Sequence, residues 1–370
     1  MTLSGALNFF KSSKFISWKS RLKQCLAFAI VQRTLAYGAY FRVDFLGNQA
    51  ESYRRLQQTL VRCVELSGKA LHSGEVSTVK LWPELAGVGR YFDFRSNRIP
   101  ASIDYANESP LCTTLCKDGF RIRTIEHLLS ALEGMGVDNC RIEIENSDPE
   151  DLDVEVPILG GSASEWVEAI EQAGLKVATD QGGNTCEKMA AHVNEPVHIW
   201  RNDSFVAAFP SPEVFISYGI GFPQVPAIGC QWFSSAHFDS SHYSKQIAPS
   251  RNFLHLRGGN NSMNGFKVEN MRNMGLIKGG GLENAIVCSV SEGWLNPPLR
   301  FQDEPCRHKV LDLIGDLSLF ARFGSQGLPV AHIVVYKALT LPFECFLVSF
   351  LLELKMLQCS VLELLRKAMS

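Results

Sequence analysis

The chain of 370 residues carries 36 Lys plus Arg against 38 Asp plus Glu, with 46% apolar and 20% charged residues. This composition suits a soluble globular protein of two domains and excludes a disordered or fibrous one. The net charge of −2 gives no overall reason for nucleic-acid binding, and none is expected. Eleven cysteines without a CxxC pair favour reduced, buried thiols over a disulfide framework or a zinc ribbon.

The first 43 residues hold seven basic residues and no acidic one. Serines alternate there with large apolar side chains, a composition typical of an organelle transit peptide. We interpret residues 1–50 as a transit peptide and poorly ordered segment that directs import into the mitochondrial matrix, with the plastid as second choice. A basic tail without a targeting role is the alternative. The apolar run at Cys25–Val31 is far shorter than the ~20 residues that span a bilayer, so no stable membrane anchor is expected.

Residues 51–178 are predicted to form a first α/β domain, followed by a linker over residues 179–190. Alternating apolar and polar side chains predict strands, and an apolar stripe with helical spacing predicts helices. The predicted elements are strands at Thr78–Leu81 and Cys140–Glu145 and helices at Thr124–Met135 and Ser162–Gln172. Thr124 is expected to cap the first of these helices, because its hydroxyl can accept a hydrogen bond from an unpaired backbone N–H group.

Residues 191–338 are predicted to form a second α/β domain with the same rhythm. The predicted elements are strands at Phe205–Phe209, Val214–Ile220, Asn284–Val290 and Val330–Tyr336, a helix at Cys306–Phe323 and a loop-rich region at Ser250–Gly281. In each half a helix precedes a strand, which suggests one structural unit used twice. Residues 339–370 are predicted to be a divergent apolar tail, with a helix whose apolar stretch is too short to span a membrane.

The predicted helix of the second half carries three polar side chains along one side. His308, Asp312 and Asp316 stand at positions i, i+4 and i+8, so a helix places them in one stripe, apart from its apolar residues. An imidazole and a carboxylate one turn apart can share a zinc ion at ~2 Å from each. The same spacing also fits a hydrogen bond on a helix surface, so the metal interpretation requires a further ligand.

Glu126 and His127 in the first-half helix are the candidate source of that ligand. The imidazole could hold a metal ion while the adjacent carboxylate removes a proton from water, as hydrolytic zinc sites require. In the alternative interpretation, Glu126 only favours the positive end of its helix and His127 is a hydrogen-bonded polar residue. The residue pattern leaves both interpretations open.

Long motifs distinguish this chain. They are IRTIEHLLSALEGMGVDNCRIEIE, EVPILGGSASEW, GLIKGGGLENAIV and LRFQDEPCRHKVLDLIGDL. In content and order they resemble the zinc-dependent UDP-3-O-acyl-N-acetylglucosamine deacetylases of lipid A biosynthesis, in particular the plant mitochondrial members. The resemblance extends from Leu56 to Lys337. It implies an α+β fold of two α/β domains, each a small sheet with helices, with the helices sandwiched between the two sheets.

The resemblance also implies the chemistry. The family's metal ligands match His127, His308 and Asp312, which would hold one Zn²⁺, and its general base matches Glu126. The expected partner is a UDP-linked acylated amino sugar. The expected reaction is hydrolytic removal of acetate from UDP-3-O-acyl-N-acetylglucosamine, which gives UDP-3-O-acyl-glucosamine. We expect a monomer.

Further family positions match residues of this chain. Lys309, beside a ligand, is expected to stabilise developing negative charge, and Asp316 is expected to orient the family's second catalytic residue. The expected substrate-binding residues are His72, Asn252, Phe253 and Lys337.

The family's second catalytic residue is missing from this chain. Family members continue from the matched lysine in a Lys-x-Gly-His motif, whereas this chain reads Lys-Ala-Leu-Thr over residues 337–340. A general acid contributes ~10²- to 10⁴-fold to a rate, so the alternative function is a catalytically impaired zinc-binding paralogue or splice variant. Asn252 in place of a family threonine and Gly160 in place of a family aspartate are further departures.

Overall fold

A computed structural model describes residues 55–336, except residues 108, 110, 147, 149, 202–203, 236, 257–272, 274–275, 290–291 and 297. The predicted transit peptide, the predicted C-terminal tail, Lys337 and much of the predicted loop-rich region therefore lie outside the described residues. Every described residue belongs to one unit of the chain, and the predicted division at residues 179–190 stays a prediction. No helix within the described part is long and apolar enough to cross a membrane.

The first half contains short strands and two helices. Its strands are β1 (Gln58–Leu60), β2 (Val64–Lys69), β3 (Val76–Pro83), β4 (Arg90–Phe94), β5 (Asn97–Pro100), β6 (Ala106–Asn107), β7 (Thr114–Lys117), β8 (Phe120–Arg123), β9 (Cys140–Asn146), β10 (Asp153–Glu155) and β11 (Leu175–Val177). Its helices are α1 (Glu126–Gly134) and α2 (Ser164–Ala173), and a 3₁₀ turn covers Ile103–Tyr105. The predicted strands of this half coincide with β3 and β9.

The second half repeats this mixture of strands and helix. Its strands are β12 (Val197–Arg201), β13 (Ser204–Pro210), β14 (Phe215–Phe222), β15 (Gly229–Ser234), β16 (Phe253–Leu256), β17 (Ile286–Ser289), β18 (Gly293–Trp294) and β19 (Ala331–Tyr336). Its long helix is α3 (Glu304–Leu317), and shorter helical segments cover Ser240–His242, Tyr243–Ile247 and Ser318–Phe320. The predicted strands coincide with β13, β14, β17 and β19.

The two five-stranded sheets have the same topology. Their strand orders are β2-β3-β9-β4-β5 and β12-β13-β19-β14-β15, so the last strand in sequence is central in each. That strand is antiparallel to one neighbour and parallel to the other in both sheets. A helix precedes it in both halves, α1 before β9 and α3 before β19. One unit is therefore used twice, and the prediction of a mixed α/β fold built from small sheets is confirmed.

The helices join the two halves through one hydrophobic core. Helix α1 packs against α3, α2 contacts β2 of the first sheet, and α3 contacts β14 of the second. Apolar side chains from both halves form a single buried cluster. Helices α1 and α3 approach very closely at Gly315, where an added Cβ would overlap the carbonyl oxygen of Glu126. A side chain at this position would push the two helices apart.

The helix boundaries differ from the predicted ones. Helix α1 begins at Glu126, and Thr124 does not cap it. Thr124 instead has a left-handed backbone conformation, with φ of 57°. A residue with a Cβ in this conformation costs roughly 1–2 kcal/mol, so surrounding contacts must hold it there. Helix α3 begins earlier than predicted, at Glu304, with Pro305 in its first turn, and it ends at Leu317, where a 3₁₀ turn follows.

Candidate metal centre

Three potential metal ligands from two helices converge on one point. His127 lies in the first turn of α1, whereas His308 and Asp312 lie one turn apart on α3. Nε2 of His127 is 3.4 Å from Oδ1 of Asp312, and Nε2 of His308 is 3.5 Å from the same oxygen. The three ligand atoms lie within 4.8 Å of one another. The fold thus brings together the three candidate ligands that the sequence placed in separate halves.

The distances from Asp312 to the two histidines fit a tetrahedral metal ion. Nitrogen and oxygen ligands at about 2.0–2.2 Å from such an ion lie roughly 3.3–3.6 Å apart, which matches both distances to Asp312. Oδ1 of Asp312 is buried and forms no hydrogen bond with any described residue. A buried carboxylate oxygen without a donor is costly, and a cation removes that cost. The residues present therefore fit a bound metal.

A contact outside the ligand set fixes which nitrogen of His308 faces the centre. Nδ1 of His308 donates to the carbonyl oxygen of Ser250 over 3.0 Å, which leaves the lone pair of Nε2 for a metal. Burial lowers the pKa of His308 to about 4, so the ring is neutral at pH 7, as a metal ligand must be. The ring of His127 stands edge-on to that of His308, with centroids 5.0 Å apart.

Asp312 uses its two oxygens differently. Oδ2 accepts a hydrogen bond of 2.9 Å from Nζ of Lys309, while Oδ1 faces the two histidines. Burial opposes the charged form of Asp312, but attraction from His308 and Lys309 outweighs it and lowers the pKa of the carboxyl. Asp312 is therefore ionised and able to bind a cation.

Thr113 links two carboxyl groups beside the centre. Its backbone N–H donates to Oε2 of Glu126 at 3.0 Å, and its hydroxyl donates to Oδ1 of Asp316 at 2.6 Å. All three residues are buried. Burial raises the pKa of Asp316 to about 7, although the hydrogen bond from Thr113 opposes this shift. The site therefore holds two further carboxyl groups in fixed orientations.

A pocket opens onto this cluster. Its polar lining residues are Thr113, Glu126, His127, Asn252, His308, Lys309, Asp312 and Asp316, and its other lining residues are Leu71, Leu111, Ile158, Tyr218 and Leu313. Seven of the ten site residues predicted from the sequence line it. Polar groups of both signs thus meet an apolar wall, an arrangement that suits a ligand with a polar reacting group.

Three predicted substrate-binding residues are not among the described residues that line the pocket. The ring of Phe253 lies edge-on to that of His308, with centroids 6.4 Å apart. His72 is completely buried, and its Nδ1 accepts a hydrogen bond from the backbone N–H of Ile277. Lys337 lies outside the described residues. Substrate contacts of these three residues stay predictions.

Sequence reasoning missed Thr113, Tyr218 and Ser250. Thr113 reaches the site from a loop, and no residue spacing connects it with Glu126. Ser250 acts through its carbonyl oxygen, which every residue offers, so its type carries no signal. Tyr218 is buried on the face of β14 that packs against α3, and strand alternation could have placed it there.

Comparisons with known proteins agree with this architecture. A model of the UDP-3-O-acyl N-acetylglycosamine deacetylase family matches residues 57–339. The chain is 62% identical to the Arabidopsis thaliana protein named probable UDP-3-O-acyl-N-acetylglucosamine deacetylase 1, mitochondrial, over 77% of this chain and 84% of that protein. It is 45% identical to UDP-3-O-acyl-N-acetylglucosamine deacetylase of Trichormus variabilis, over 76% of this chain and 93% of that protein. Because the family match spans both sheets and both helices of the centre, this chain belongs to the UDP-3-O-acyl N-acetylglycosamine deacetylase family.

Proposed function

We propose that this protein hydrolyses UDP-3-O-acyl-N-acetylglucosamine to acetate and UDP-3-O-acyl-glucosamine, a committed step of lipid A biosynthesis, with Zn²⁺ as cofactor. The observation that carries the proposal is the convergence of His127, His308 and Asp312 beside Glu126 in one pocket. The names of both relatives state the same acylated amino sugar, which supports the substrate.

His127, His308 and Asp312 would hold the zinc ion. Three protein ligands leave one coordination position open, which is the pattern of catalytic rather than structural zinc sites. When bound, zinc polarises a carbonyl oxygen and lowers the pKa of water. Ser250 and Lys309 support the ligand set, because the first fixes the tautomer of His308 and the second pairs with Oδ2 of Asp312.

Glu126 is the general base of the proposed reaction. It lines the pocket beside His127, and the N–H of Thr113 fixes the orientation of its carboxylate. Glu126 takes a proton from water while a C–O bond forms at the 2-acetamido carbonyl carbon, and the C–N bond then breaks. The departing amine requires a proton, and Glu126 can return the one that it took. Atoms and charge balance without a second acid, although a second acid would speed the step.

Two further groups in the pocket act on charge and orientation. The ammonium of Lys309 would stabilise negative charge as it develops on the carbonyl oxygen. Asp316 accepts a hydrogen bond from the hydroxyl of Thr113. Its proposed role is to orient the family's second catalytic residue, the histidine that the chimera described below restores. The amide of Asn252 lines the same pocket and is the proposed substrate contact in place of the family's threonine.

A second candidate function is that of a zinc-binding paralogue with impaired turnover. The observation that favours it is the Lys-Ala-Leu-Thr sequence at residues 337–340, which lacks the histidine of the family motif. Zinc binding requires only His127, His308 and Asp312 and would persist. Loss of one general acid would lower the rate by about 10²- to 10⁴-fold.

Zinc content and acetate release, measured on one preparation of the full chain, test the proposal. We expect about one zinc per chain and measurable acetate release from UDP-3-O-acyl-N-acetylglucosamine, lost on chelation and restored by zinc. Glu126→Gln should retain zinc and lower kcat by about 10²- to 10⁴-fold. Zinc without turnover would favour the impaired paralogue, and a protein without zinc would contradict both functions.

A chimera tests whether the missing histidine limits the rate. Leu339→Gly with Thr340→His restores the family's Gly-His after Lys337 and Ala338. If the absent acid is the defect, kcat should rise by about 10²- to 10⁴-fold. The control is Leu339→Gly with Thr340→Asn, which changes the backbone in the same way without adding an acid. Equal rates for both variants would show that the histidine does not limit turnover.

We also propose that the protein acts in the mitochondrial matrix. The basic, acid-free N-terminal segment supports this location, and the Arabidopsis relative carries the word mitochondrial in its name. A fluorescent fusion of the full chain should co-localise with a matrix marker and lose that location when residues 1–43 are removed. Co-localisation with a plastid marker would support the second choice.

A further inference from the structure

The segment that leads into α1 has an unusual backbone conformation. Thr124 lies between the end of β8 and the start of α1, and its φ is 57°. A β-branched residue rarely adopts this left-handed conformation without contacts that hold it. The conformation of this single residue sets the direction in which α1 leaves the sheet. Helix α1 begins two residues later with Glu126 and His127, so the positions of both side chains depend on the conformation of Thr124.

Glu155 supplies the contact that holds Thr124. Oε1 of Glu155 accepts the hydroxyl of Thr124 at 2.7 Å and the backbone N–H of His72 at 2.8 Å, and Oε2 accepts the N–H of Ser73 at 2.9 Å. The residue is only 4% exposed. Three donors therefore fix the carboxylate. Because Glu155 ends strand β10, its carboxylate in turn holds Thr124, the residue that follows β8.

The backbone around Glu155 is itself anchored. Strand β10 pairs in parallel with β8, and Glu155 stands opposite Arg123, the residue just before Thr124. The N–H of Val156 donates to the carbonyl oxygen of Arg123, and the hydroxyl of Ser77 donates to the carbonyl oxygen of Glu155. Glu155 is thus anchored within the sheet, whereas the chain leaves the sheet at Thr124.

We propose that Glu155 is a positioning residue of the metal centre, which holds the turn at Thr124 and so directs Glu126 and His127 toward the ligands on α3. Glu155 is not among the described residues that line the pocket, so it acts through Thr124 rather than on substrate. This role rests on the metal centre of the proposed function.

The same network assigns a role to His72. Its N–H donates to Glu155, its Nδ1 accepts from the N–H of Ile277, and its carbonyl oxygen accepts from the N–H of Lys278. His72 is completely buried among these three partners. It therefore connects the Glu155 network with the segment at Ile277 and Lys278, a positioning role that needs no contact with substrate.

Zinc affinity of the full-length protein, measured by competition with a chelator, tests the proposal. Glu155→Gln replaces an acceptor with an amide that faces an N–H group, and Thr124→Val removes the hydroxyl but keeps the branched side chain. Each should weaken zinc binding by about 10-fold, because His127 loses its fixed position. Thr124→Ser keeps the hydroxyl and should bind zinc as the wild type does.

A matched control separates positioning from general stability. Glu133 is also a buried glutamate, but it lies at the opposite end of α1, where it accepts from Arg90, Gly327 and Leu328. Glu133→Gln should lower the urea concentration at which the protein unfolds without changing the zinc affinity of the folded protein. Glu155→Gln should change the zinc affinity, whatever its effect on unfolding.

The outcomes separate the positioning role of Glu155 from the proposed deacetylase function. Equal zinc affinities for the wild type, Glu155→Gln and Thr124→Val would overturn the positioning role, even if the enzyme turns over. Weakened zinc binding in these variants, together with no acetate release by the wild type, would support the positioning role and contradict the deacetylase. If Glu155→Gln does not fold, Thr124→Val against Thr124→Ser decides. A wild type without zinc would overturn both.

Discussion

The two helices that meet at the candidate metal centre are held at their N-terminal ends by different means. Before α1, the carboxylate of Glu155 accepts from the Thr124 hydroxyl and from two backbone N–H groups, all neutral donors. At the start of α3, the carboxylate of Glu304 accepts from the guanidinium and N–H of Arg251 and from the N–H of Arg300. Both glutamates are buried. The same topology thus uses neutral hydrogen-bond donors before α1 and a charged guanidinium at the start of α3.

The difference follows from the backbone at each helix start. Helix α1 follows Thr124, which has a left-handed conformation, so Glu155 must hold a turn that would otherwise relax. Helix α3 has Pro305 in its first turn, whose fixed φ already suits a helix, and Glu304 instead ties that turn to Arg251, near the start of β16. Loss of one partner should therefore be costlier at α3, because it leaves a buried charge uncompensated.

The largest effect on stability is expected for Glu304→Gln. The variant leaves the guanidinium of Arg251 in a largely buried site without its carboxylate. We expect the free energy of unfolding to fall by about 3–5 kcal/mol, as measured by urea unfolding. Combining Glu304→Gln with Arg251→Met removes both charges and should recover part of the loss. A loss under about 1 kcal/mol would mean that water already compensates this pair.

Gly315→Ala should separate the two helices. Alanine normally favours a helix interior over glycine by roughly 0.5–1 kcal/mol, but here its Cβ would overlap the carbonyl oxygen of Glu126. We expect a net loss of about 1–3 kcal/mol in the free energy of unfolding and weaker zinc binding, because the ligands of α1 and α3 move apart. Unchanged or increased stability would show that the helices separate at little cost.

Acid should weaken the pairing of Glu304 with Arg251 at the start of α3. Burial opposes charge on Glu304, but the hydrogen bonds from Arg251 and Arg300 outweigh it and hold the pKa of Glu304 below its usual range. Such a group stabilises the fold fully above the unfolded-state pKa of about 4.3, and this contribution is lost as the pH falls through the folded-state pKa. Its size is about 1.4 kcal/mol for each unit by which the pKa is lowered.

Urea unfolding at a series of pH values measures this contribution. The difference in free energy of unfolding between the wild type and Glu304→Gln should be constant near neutral pH and shrink below about pH 4.3, because the amide of the variant does not titrate. The pKa of Glu133 is also lowered, since attraction from Arg90 outweighs burial, so Glu133→Gln should show the same trend. A difference independent of pH would contradict the charged pairing.

Local sequence patterns were sufficient to find the elements that carry the site. The i, i+4 spacing of His308 and Asp312 and the apolar stripe beside them place both residues on one face of α3. The Glu126-His127 pair lies at the start of the other helix, as the pattern of α1 indicates. Helix and strand periodicity depend on neighbouring residues, and the sequence contains those directly.

Contacts between distant segments could not be predicted in this way. Thr124 has the residue type of a helix cap, yet its hydroxyl bonds to Glu155, 31 residues away. Thr113 reaches Asp316 across 203 residues. The first contact depends on the pairing of β8 with β10, and the second depends on the packing of α1 against α3. No local pattern encodes either arrangement.

The smallest effect should come from Tyr243→Phe. This variant tests whether α1 is supported by a contact other than those of Glu155 and Glu133. The ring of Tyr243 lies in the space that a Cβ of Gly134 would occupy, and its hydroxyl donates to Oγ of Ser130 at 2.9 Å. Phenylalanine keeps the ring packing and removes only this buried hydrogen bond. We expect the free energy of unfolding to fall by about 0.5–1.5 kcal/mol, with zinc affinity unchanged.

A double-mutant cycle with Ser130→Ala isolates this hydrogen bond. If the bond between Tyr243 and Ser130 is the whole effect, the double variant should lose no more stability than either single variant. Additive losses would mean that each hydroxyl has another partner. A loss above about 3 kcal/mol for Tyr243→Phe would mean that the ring has moved off Gly134, and zinc affinity should then fall as well, because α1 would be free to shift along α3.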